Sequence, residues 1–252
     1  MIQLRDFTIG YDSRILLKDV SSDFGTGMLT ALIGRNGSGK STLLRALAGL
    51  NKKYGGEILI EGKNLRKLTT PELARTLAFV NTERTRIPNL RCEDVVAMGR
   101  APYTNWIGHI REEDREIVAE ALESVGMSAY SARTMDTMSD GECQRVMIAR
   151  ALAQDTPVII LDEPTSFLDL PNRYELVALL RSLVHAKGKT IIFSTHELDI
   201  AMSLCDRVAL IDTPALHILP AEEMRASGYI ERLFSSERIA FDSATGTIQI
   251  IQ

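Results

Sequence analysis

The sequence has few cysteines, no strong net charge and no long apolar run. Its three cysteines, Cys92, Cys143 and Cys205, are far apart and form no C-x-x-C pair. This excludes a disulfide framework and a zinc site of the usual spacing, so we expect reduced cysteines in a cytosolic protein. The formal net charge is -4, and no basic balance indicates a nucleic-acid partner. Because no apolar run approaches the ~20 residues needed to cross a bilayer, any membrane association has to come through a partner.

Targeting and low-complexity signals are also missing. No basic segment followed by an apolar segment opens the chain, so we expect no export signal. There is no internal repeat or flexible linker, and the short stretch after Ile211 predicts no long regulatory domain. With 252 residues, 45% hydrophobic and 25% charged, the chain fits one large α/β domain or one with an inserted subdomain.

The clearest motif that is present is GRNGSGKST, from Gly34 to Thr42, which fits G-x-x-x-x-G-K-[ST]. The apolar run Leu29–Ile33 precedes it and leucines at helical spacing follow it, so we predict a strand, a phosphate-binding loop and a helix. Lys40 would reach the outer phosphates of a nucleotide, and the Ser41 hydroxyl would bind magnesium. The nucleotide-binding candidates in this loop are Gly34, Arg35, Asn36, Gly37, Ser38, Gly39, Lys40, Ser41 and Thr42.

The N-terminal part predicts a small antiparallel sheet. Residues alternate between apolar and polar over Ile2–Gly10, and the short run Ile15–Leu17 follows a turn that carries Tyr11. Tyr11 is either a turn aromatic with its hydroxyl in water or a platform for a flat base. A further strand is predicted over Glu57–Ile60, and Thr70 is predicted to cap a short helix.

The middle of the chain changes to helical character. After a predicted strand at Leu77–Val80, helices are expected at Glu93–Met98 and Glu112–Val125, and another after Ser139. We therefore predict that residues 82–154 form a helical subdomain inserted into an α/β core made of residues 1–81 and 155–252.

Two carboxylates follow the continuous apolar run Pro157–Leu161, which predicts a central parallel strand. Asp162 and Glu163 would lie at the carboxyl edge of the sheet, where open α/β sheets bind ligands. Bound MgATP needs a carboxylate near its metal and a group that orients water, so this pair fits a neighbouring phosphate-binding loop. His196 follows the apolar run Thr190–Phe193 and is either structural or faces the γ-phosphate.

The remaining predicted elements lie in the C-terminal third. They are a helix at Asn172–Lys187, a strand at Asp206–Ile211 and a hairpin at Ile239–Ile251.

A second motif identifies a family. The stretch Met138–Gln144 reads MSDGECQ and precedes a helix that ends shortly before the Asp162–Glu163 pair. It closely resembles the signature motif of ABC-type ATPases, usually written LSGGQ. With the phosphate-binding loop, Ser166–Asp169 and His196, the resemblance covers almost the whole chain. It implies a P-loop NTPase core of the ABC type with an antiparallel β subdomain and an inserted helical subdomain.

The resemblance also implies site roles. Two copies would face head to tail and bury two ATP molecules, each between one copy's phosphate-binding loop and the other's signature helix. Tyr11 would stack on adenine, and Asp162 would hold magnesium. Glu163 would polarise the attacking water, His196 would contact the γ-phosphate, and Asp169 would lie in the loop that links the two sites. The signature residues that would face ATP in trans are Ser139, Asp140, Gly141 and Glu142.

The signature departs from the family pattern at three positions. Met138 replaces the usual leucine, and Asp140 and Glu142 replace glycine and glutamine. Ser139 and Glu142 also fit a capping box. If the helix dipole and backbone N–H groups contact the phosphate, the two carboxylates can turn to solvent, and we expect phosphate binding to be weakened but not lost.

A further departure affects the metal. Where the family usually has a glutamine that contacts magnesium and the attacking water, this chain has Thr82 followed by Glu83. Both side chains carry oxygen donors that magnesium accepts. We therefore hypothesise that Thr82 or Glu83 replaces the glutamine.

Two stretches resemble the ATPases that power uptake of iron-siderophores, haem and cobalamin. These are Met98–Tyr103, followed by Asn105–Gly108, and the loop Thr165–Pro171. Within the first, Trp106 either packs in a turn or belongs to a surface that contacts a membrane partner.

The predicted function is that of the ATP-hydrolysing subunit of a bacterial ABC importer, with ATP and Mg²⁺ as cofactors. The predicted partners are a second copy, a multi-span permease and, indirectly, an extracytoplasmic solute-binding protein, with no nucleic acid. The location would be peripheral, at the cytoplasmic face of the inner membrane.

The alternatives are an ABC ATPase for another solute and a soluble ABC ATPase of translation or DNA repair. The latter usually carries two cassettes or a long coiled-coil insertion, and neither is present. A P-loop kinase or GTPase leaves the Ser139 helix unexplained.

Overall fold

The computed structural model describes residues 1–11, 14–82, 88–104, 110–235, 239–242 and 247–250. The strands in these ranges are β1 (Ile2–Tyr11), β2 (Arg14–Asp23), β3 (Leu29–Gly34), β4 (Tyr54–Ile60), β5 (Lys63–Asn64), β6 (Leu77–Val80), β7 (Val158–Leu161), β8 (Thr190–Ser194), β9 (Arg207–Asp212), β10 (Ala215–Pro220), β11 (Ile239–Asp242) and β12 (Thr247–Ile250). The helices are α1 (Lys40–Leu47), α2 (Thr70–Thr76), α3 (Cys92–Ala97), α4 (Glu112–Ser124), α5 (Asp140–Ala153), α6 (Leu170–Lys187), α7 (Leu198–Leu204), α8 (Ala221–Ala226) and α9 (Tyr229–Phe234). Short 3-10 helices lie at Leu65–Lys67, Met98–Tyr103, Ser128–Tyr130 and Met135–Thr137.

The central sheet has the strand order β10-β9-β3-β8-β7-β6. Its strands β9, β3, β8, β7 and β6 run parallel, and β10 pairs antiparallel with β9 at one edge. β3, β7 and β8 are buried along their whole length, as the continuous apolar runs predict for strands covered on both faces. The chain therefore has the predicted α/β class with a mostly parallel core sheet.

The two faces of this sheet belong to two different cores, because successive side chains of a strand point to opposite faces. Ile159 and Leu161 of β7 pack with the core that contains the buried faces of α3, α4, α5, α6 and α7. Val158 and Ile160 pack with the other core, which contains α1 and the inner faces of β1 and β2. The carboxyl ends of β3, β7 and β8 thus emerge between two packed layers, and this arrangement holds the loops after them in place.

A second, antiparallel sheet has the order β2-β1-β4-β5 and confirms the predicted small sheet. β4 begins three residues before the predicted start at Glu57. Gly56 lies inside it with φ of 71°, opposite an irregularity in β1. A Cβ at Gly56 would lie 2.3 Å from the Asp6 carbonyl oxygen, so only glycine fits this close approach.

Helices α3, α4 and α5 lie in the predicted helical region and pack on one another, and α5 also contacts β6. α4 is followed by Gly126 in the left-handed conformation, with φ of 72°, as the helix-stop signal predicts. The division into a core and a subdomain of residues 82–154 stays a prediction.

Two predicted helix starts were wrong by one or two residues. Thr69, not Thr70, caps α2: its hydroxyl accepts a hydrogen bond from the Glu72 N–H, and the Glu72 carboxylate accepts one from the Thr69 N–H. α6 begins at Leu170 instead of Asn172 because Asp169 caps it. Sequence reasoning did not predict β10 or the short helices α7, α8 and α9.

The segment Met98–Tyr103 is tied to its neighbours by a buried ion pair. The Arg100 Nε donates to the Asp114 Oδ1 at 2.8 Å, and its Nη1 donates to the Ala153 carbonyl oxygen at 2.9 Å. The Arg100 guanidinium also lies over the Tyr103 ring, 4.1 Å from its centroid. The hydrogen bond from the Arg100 Nε to the Asp114 Oδ1 holds the pKa of Asp114 below its usual range. Arg100 therefore joins the segment to α4 and to the end of α5.

No helix in the described part of the chain is long and apolar enough to cross a membrane.

Candidate functional site

The predicted strand, loop and helix lie where the sequence places them, from β3 through the loop to α1. Gly37 and Gly39 have φ of 72° and 102°, a region that other residues rarely adopt. A Cβ at Gly39 would also lie 2.8 Å from the Leu16 Cδ1. The backbone conformation at position 39 therefore favours glycine, and a larger residue there would also have to displace the Leu16 side chain.

Lys40 is the buried cation of the loop, with 6% of its surface exposed. Its Nζ donates to the Gly34 carbonyl oxygen at 3.1 Å and lies 3.5 Å from the His196 Nδ1. Burial lowers the pKa of Lys40, while the charges of Glu163 and Asp162 act to raise it. An anion near the Lys40 ammonium would therefore find a positive charge that little water screens.

Asp162 is the buried carboxylate at the end of β7. Its Oδ1 accepts hydrogen bonds from the Ser41 Oγ at 3.1 Å and from the Ser194 Oγ at 2.7 Å. The Ser194 Oγ in turn accepts the Glu163 N–H at 2.8 Å. Ser194 was missed by sequence reasoning. Its position as the last residue of β8, beside β7, was the available signal.

Glu163 and His196 meet across the same edge of the sheet. The His196 Nε2 lies 2.7 Å from the Glu163 Oε1, and the other ring nitrogen faces Lys40. Glu163 has φ of 47°, which is unusual for a residue with a side chain. The backbone there turns sharply enough for consecutive carboxylates, Asp162 and Glu163, to have different partners.

An open cleft of about 440 Å³ lies in front of these groups. Tyr11, 55% exposed, stands at its rim, and its hydroxyl lies 2.7 Å from the Thr42 Oγ1. The residues that line the cleft are Tyr11, Arg14, Leu16, Asn36, Gly37, Gly39, Lys40, Ser41, Thr42, Glu163 and His196.

The other predicted residues of the phosphate-binding loop are close by. Gly34 and Arg35 line an adjoining cavity of about 420 Å³ together with Asn36 and His196. Ser38 is buried, and its hydroxyl has no hydrogen-bond partner among the described residues. The cleft and its margin therefore bring together the predicted loop, the carboxylates and the histidine.

Thr82 contacts the site through the backbone of Asp162. Its Oγ1 donates to the Asp162 carbonyl oxygen at 3.0 Å, and it does not line the cleft. Glu83 lies outside the described residues, as do Trp106 and the rest of Asn105–Gly108.

The signature residues lie at the start of α5 and form the predicted capping box. The Glu142 Oε2 accepts hydrogen bonds from the Ser139 N–H at 2.8 Å and from the Ser139 Oγ at 2.9 Å, and the Arg133 guanidinium lies 3.5 Å from its other oxygen. These hydrogen bonds from Ser139 lower the pKa of Glu142. The Glu142 carboxylate therefore caps the helix, as the capping-box pattern predicts.

Asp140 and Gly141 complete this stretch, and both are half-buried. A Cβ at Gly141 would lie 3.4 Å from the Leu168 Cδ2, in the loop after β7. None of the four signature residues lines the described cleft of its own chain. Asp169, in that same loop, caps α6 by accepting the Asn172 N–H at 3.3 Å.

The chain is similar in sequence to known proteins of one family. The family model described as ABC transporter matches residues 17–166. An uncharacterized ABC transporter ATP-binding protein of Methanocaldococcus jannaschii is 37% identical, covering 94% of this chain and 79% of its own. The achromobactin transport ATP-binding protein of Dickeya dadantii is 38% identical, covering 83% of this chain and 78% of its own. The iron(3+)-hydroxamate import ATP-binding protein of Bacillus subtilis is 37% identical, covering 76% of this chain and 71% of its own.

Solved structures share the fold. An inward-facing transporter described as of metal-chelate type has a TM-score of 0.81 and 25% identity, covering 92% of this chain and 88% of that one. A dimeric ATP-binding cassette in a post-hydrolysis state, bound to ADP and Pi, has a TM-score of 0.73 and 28% identity. The match covers 88% of this chain and 99% of that one. With this fold, these motifs and these relatives, the chain belongs to the ABC transporter family as one of its ATP-binding, ATP-hydrolysing subunits.

Proposed function

We propose that this ATPase powers the import of a metal chelate of the iron-siderophore, haem or cobalamin class by driving a membrane permease. The observation that carries the ATPase part is the cleft that gathers Lys40, Ser41, Glu163 and His196, with Asp162 directly behind it. The solute class is supported by the achromobactin and iron(3+)-hydroxamate relatives and by the metal-chelate type of the solved transporter.

In this proposal the phosphates of ATP lie against the loop, where Lys40 and the N-terminus of α1 supply positive charge. Tyr11 stacks on the adenine at the rim of the cleft, 55% exposed and held by Thr42. Asn36, Gly37, Gly39 and Thr42 line the space between, and Gly34, Arg35 and Ser38 shape the loop behind them.

Magnesium fits the oxygen donors that meet behind the cleft. The Ser41 Oγ and the Asp162 Oδ1 lie 3.1 Å apart, and a hydroxyl with a carboxylate is the small donor set that Mg²⁺ uses beside phosphates. Ser41 and Asp162 would hold the ion, with Thr82 or Glu83 as a further donor. When bound, the ion would neutralise charge on the phosphate oxygens.

Glu163 would orient and polarise the attacking water, and His196 would contact the γ-phosphate. The 2.7 Å contact between the His196 Nε2 and the Glu163 Oε1 keeps both groups on the same side of the cleft. Lys40 would counter the negative charge that builds on the phosphate oxygens during transfer.

The Thr82 hypothesis has a direct test. Replacing Thr82 and Glu83 together by alanine should slow ATP hydrolysis by at least tenfold, since the oxygen donors that substitute for the usual glutamine would be gone. Phosphate release would be measured over a magnesium titration, with each single alanine variant beside the double one. A rate equal to that of the unchanged protein at all magnesium concentrations would contradict the hypothesis.

The second half of the site is proposed to come from another copy of this chain. The signature residues do not line the cleft of their own chain within the described residues, and the relative bound to ADP and Pi is dimeric. Head to tail, the start of α5 with Ser139, Asp140, Gly141 and Glu142 would face the partner's ATP, and Ser139 and Gly141 would contact its γ-phosphate. Asp169 would lie in the loop between the two sites.

The permease is proposed to contact a groove between α3 and α4. The groove measures about 460 Å³ and mixes apolar residues such as Ala97 and Val118 with charges such as Glu93 and Arg115. A mixed groove of this kind fits an amphipathic helix of a partner. The protein would then be peripheral at the cytoplasmic face of the inner membrane, and a solute-binding protein would act indirectly, through the permease.

The function is tested by purifying a tagged chain from its native membranes and identifying the bound proteins by mass spectrometry. A multi-span permease with a metal-chelate-binding protein is the expected result.

Replacing the exposed groove residue Ala119 by arginine should reduce permease recovery at least tenfold, because a bulky charge would fill the groove. The matched control is the same change at Ala226, exposed at the end of α8.

Basal ATP hydrolysis should be equal in both variants, since neither residue lines the cleft or the adjoining cavity. Recovery of the chain alone, or with ribosomes or DNA, would contradict the transport proposal and favour a non-transport ABC ATPase. Recovery with a permease and a binding protein for another solute would contradict only the metal-chelate class.

A further inference from the structure

The carboxylate of Glu197 is the common acceptor of a small hydrogen-bond network next to the cleft. Its Oε2 accepts a hydrogen bond from the Thr165 Oγ1 at 2.8 Å and another from the Thr195 Oγ1. Its Oε1 accepts from the Arg173 Nη1 at 2.9 Å. Thr165 and Thr195 are 2% and 1% exposed, whereas the side chains of Glu197 and Arg173 are 18% and 32% exposed, so the network is partly buried. Such charge-assisted bonds are stronger than those between neutral groups.

Each partner of Glu197 belongs to a segment that carries a site residue. Thr165 follows Glu163 by two residues, and Thr195 directly precedes His196. Arg173 lies in the first turns of α6, and its Nε donates to the Leu168 carbonyl oxygen at 2.7 Å. Leu168 directly precedes Asp169, so the network also reaches the loop that caps α6.

Glu197 itself does not line the cleft or the adjoining cavity. Its side chain is 18% exposed, and its carboxylate faces three donors instead of the space where a nucleotide would lie. Its influence on the site must therefore pass through the backbone of its neighbours.

A carboxylate is the group that this position requires. All three partners use an N–H or O–H that points at Glu197, and only an acceptor at both oxygens satisfies them. An amide of the same shape would place one NH₂ group against a donor and would remove the negative charge opposite Arg173.

We propose that Glu197 is a positioning residue: it locks the segments that carry Glu163, His196 and Asp169 into one geometry. This proposal rests on the proposed roles of Glu163 and His196 in hydrolysis. The short contact between these two side chains depends on the spacing of the β7 and β8 ends, and Glu197 bonds to the segment after each strand. A displacement of about 1 Å can cost an active site about 10²-fold in rate.

The test is the steady-state kinetics of Glu197→Gln in the full chain. The expected result is a kcat lowered at least tenfold with a KM for ATP within twofold, because Glu197 touches the alignment of the reacting groups and not the nucleotide. Nucleotide affinity, measured by titration with a fluorescent ATP analogue, should also stay within twofold. The matched control is Glu175→Gln, since Glu175 also pairs with an arginine, Arg145, but on the exposed surface of α6. Its kcat should equal that of the unchanged protein.

A double-mutant cycle separates positioning from general loss of structure. Arg173→Gln should lower kcat in the same direction, and the double variant should be no more than twofold slower than the slower single variant, because both changes break one network. Multiplied losses in the double variant would overturn the proposal. So would an unchanged kcat in Glu197→Gln, or a parallel loss of nucleotide affinity and kcat. If the unchanged protein itself hydrolyses no ATP, the proposed function fails instead.

Discussion

Replacing Glu163 by glutamine is expected to slow ATP turnover by about 10²-fold or more, the cost of losing a group that takes a proton from the attacking water. Glutamine has the same size and can still accept a hydrogen bond from the His196 Nε2, so the 2.7 Å contact need not be lost. The backbone at Glu163, with φ of 47°, and its bond to the Ser194 Oγ do not involve the side chain. The change therefore removes basicity and little else.

ATP binding should survive this change. Lys40, Ser41 and Asp162 keep their contacts, and Glu163→Gln removes one negative charge near the phosphates, which favours the bound state slightly. The measurement is phosphate release in single- and multiple-turnover reactions, with nucleotide affinity determined in parallel. Glu175→Gln again serves as the surface control. Persistent turnover in Glu163→Gln would mean that another group acts as the base.

The second large effect is expected on stability. Arg100→Met should lower the free energy of unfolding by about 3–5 kcal/mol, because it leaves the Asp114 carboxylate buried without its cationic partner. The Ala153 carbonyl oxygen would lose its donor as well. Urea denaturation followed by circular dichroism gives the value directly.

Two controls make this result specific. Arg115→Met breaks an exposed pair with Glu112 and should cost only about 0–1 kcal/mol. The double change Arg100→Met with Asp114→Leu should recover part of the loss, since an apolar pair needs no counter-charge, although the Ala153 carbonyl oxygen and the Arg111 N–H then lack their partners. A loss of less than about 1 kcal/mol in Arg100→Met would contradict the assignment of a buried ion pair.

The same pair predicts a direction for the pH dependence. The pKa of Asp114 is held below its ordinary value by the hydrogen bond from Arg100, so folding favours the charged form. The stabilisation is fully present above the pKa of the unfolded chain and is lost as the pH falls through the lower folded pKa. The difference in stability between the unchanged protein and Arg100→Met should therefore shrink on acidification.

Much of the site could be predicted because its parts are contiguous in sequence. The phosphate-binding loop, the strand before Asp162 and the capping box of Ser139 with Glu142 each depend on neighbouring residues. Tyr11 lines the cleft, and its stacking on adenine stays a proposal.

The sheet edge at which distant segments meet could be predicted, but the hydrogen bonds between their individual side chains could not. Ser194 and Asp162 are 32 residues apart, and their hydrogen bond exists because β7 and β8 are neighbours in the sheet. The partners of Glu197 come from three segments, and no local pattern distinguishes it from any other acid after a histidine. Strand order, not composition, decides which polar groups meet at a sheet edge.

Short elements were missed for a different reason. α7, α8 and α9 have seven residues or fewer, too short for a helical period to stand out. The start of α2 was predictable, because Thr69 and Glu72 have the spacing of a capping box, whereas Thr70 has no such partner.

The order of strands in the central sheet has a consequence for biosynthesis. β8 lies between β3 and β7, so the loop after β3 gains its neighbours Asp162 and His196 only when residues near position 196 have been made. During translation the phosphate-binding loop leaves the ribosome long before these partners, and the nascent chain cannot close the site around ATP. Acquisition of nucleotide affinity by stalled chains of increasing length would thus report the moment when β8 has joined the sheet between β3 and β7.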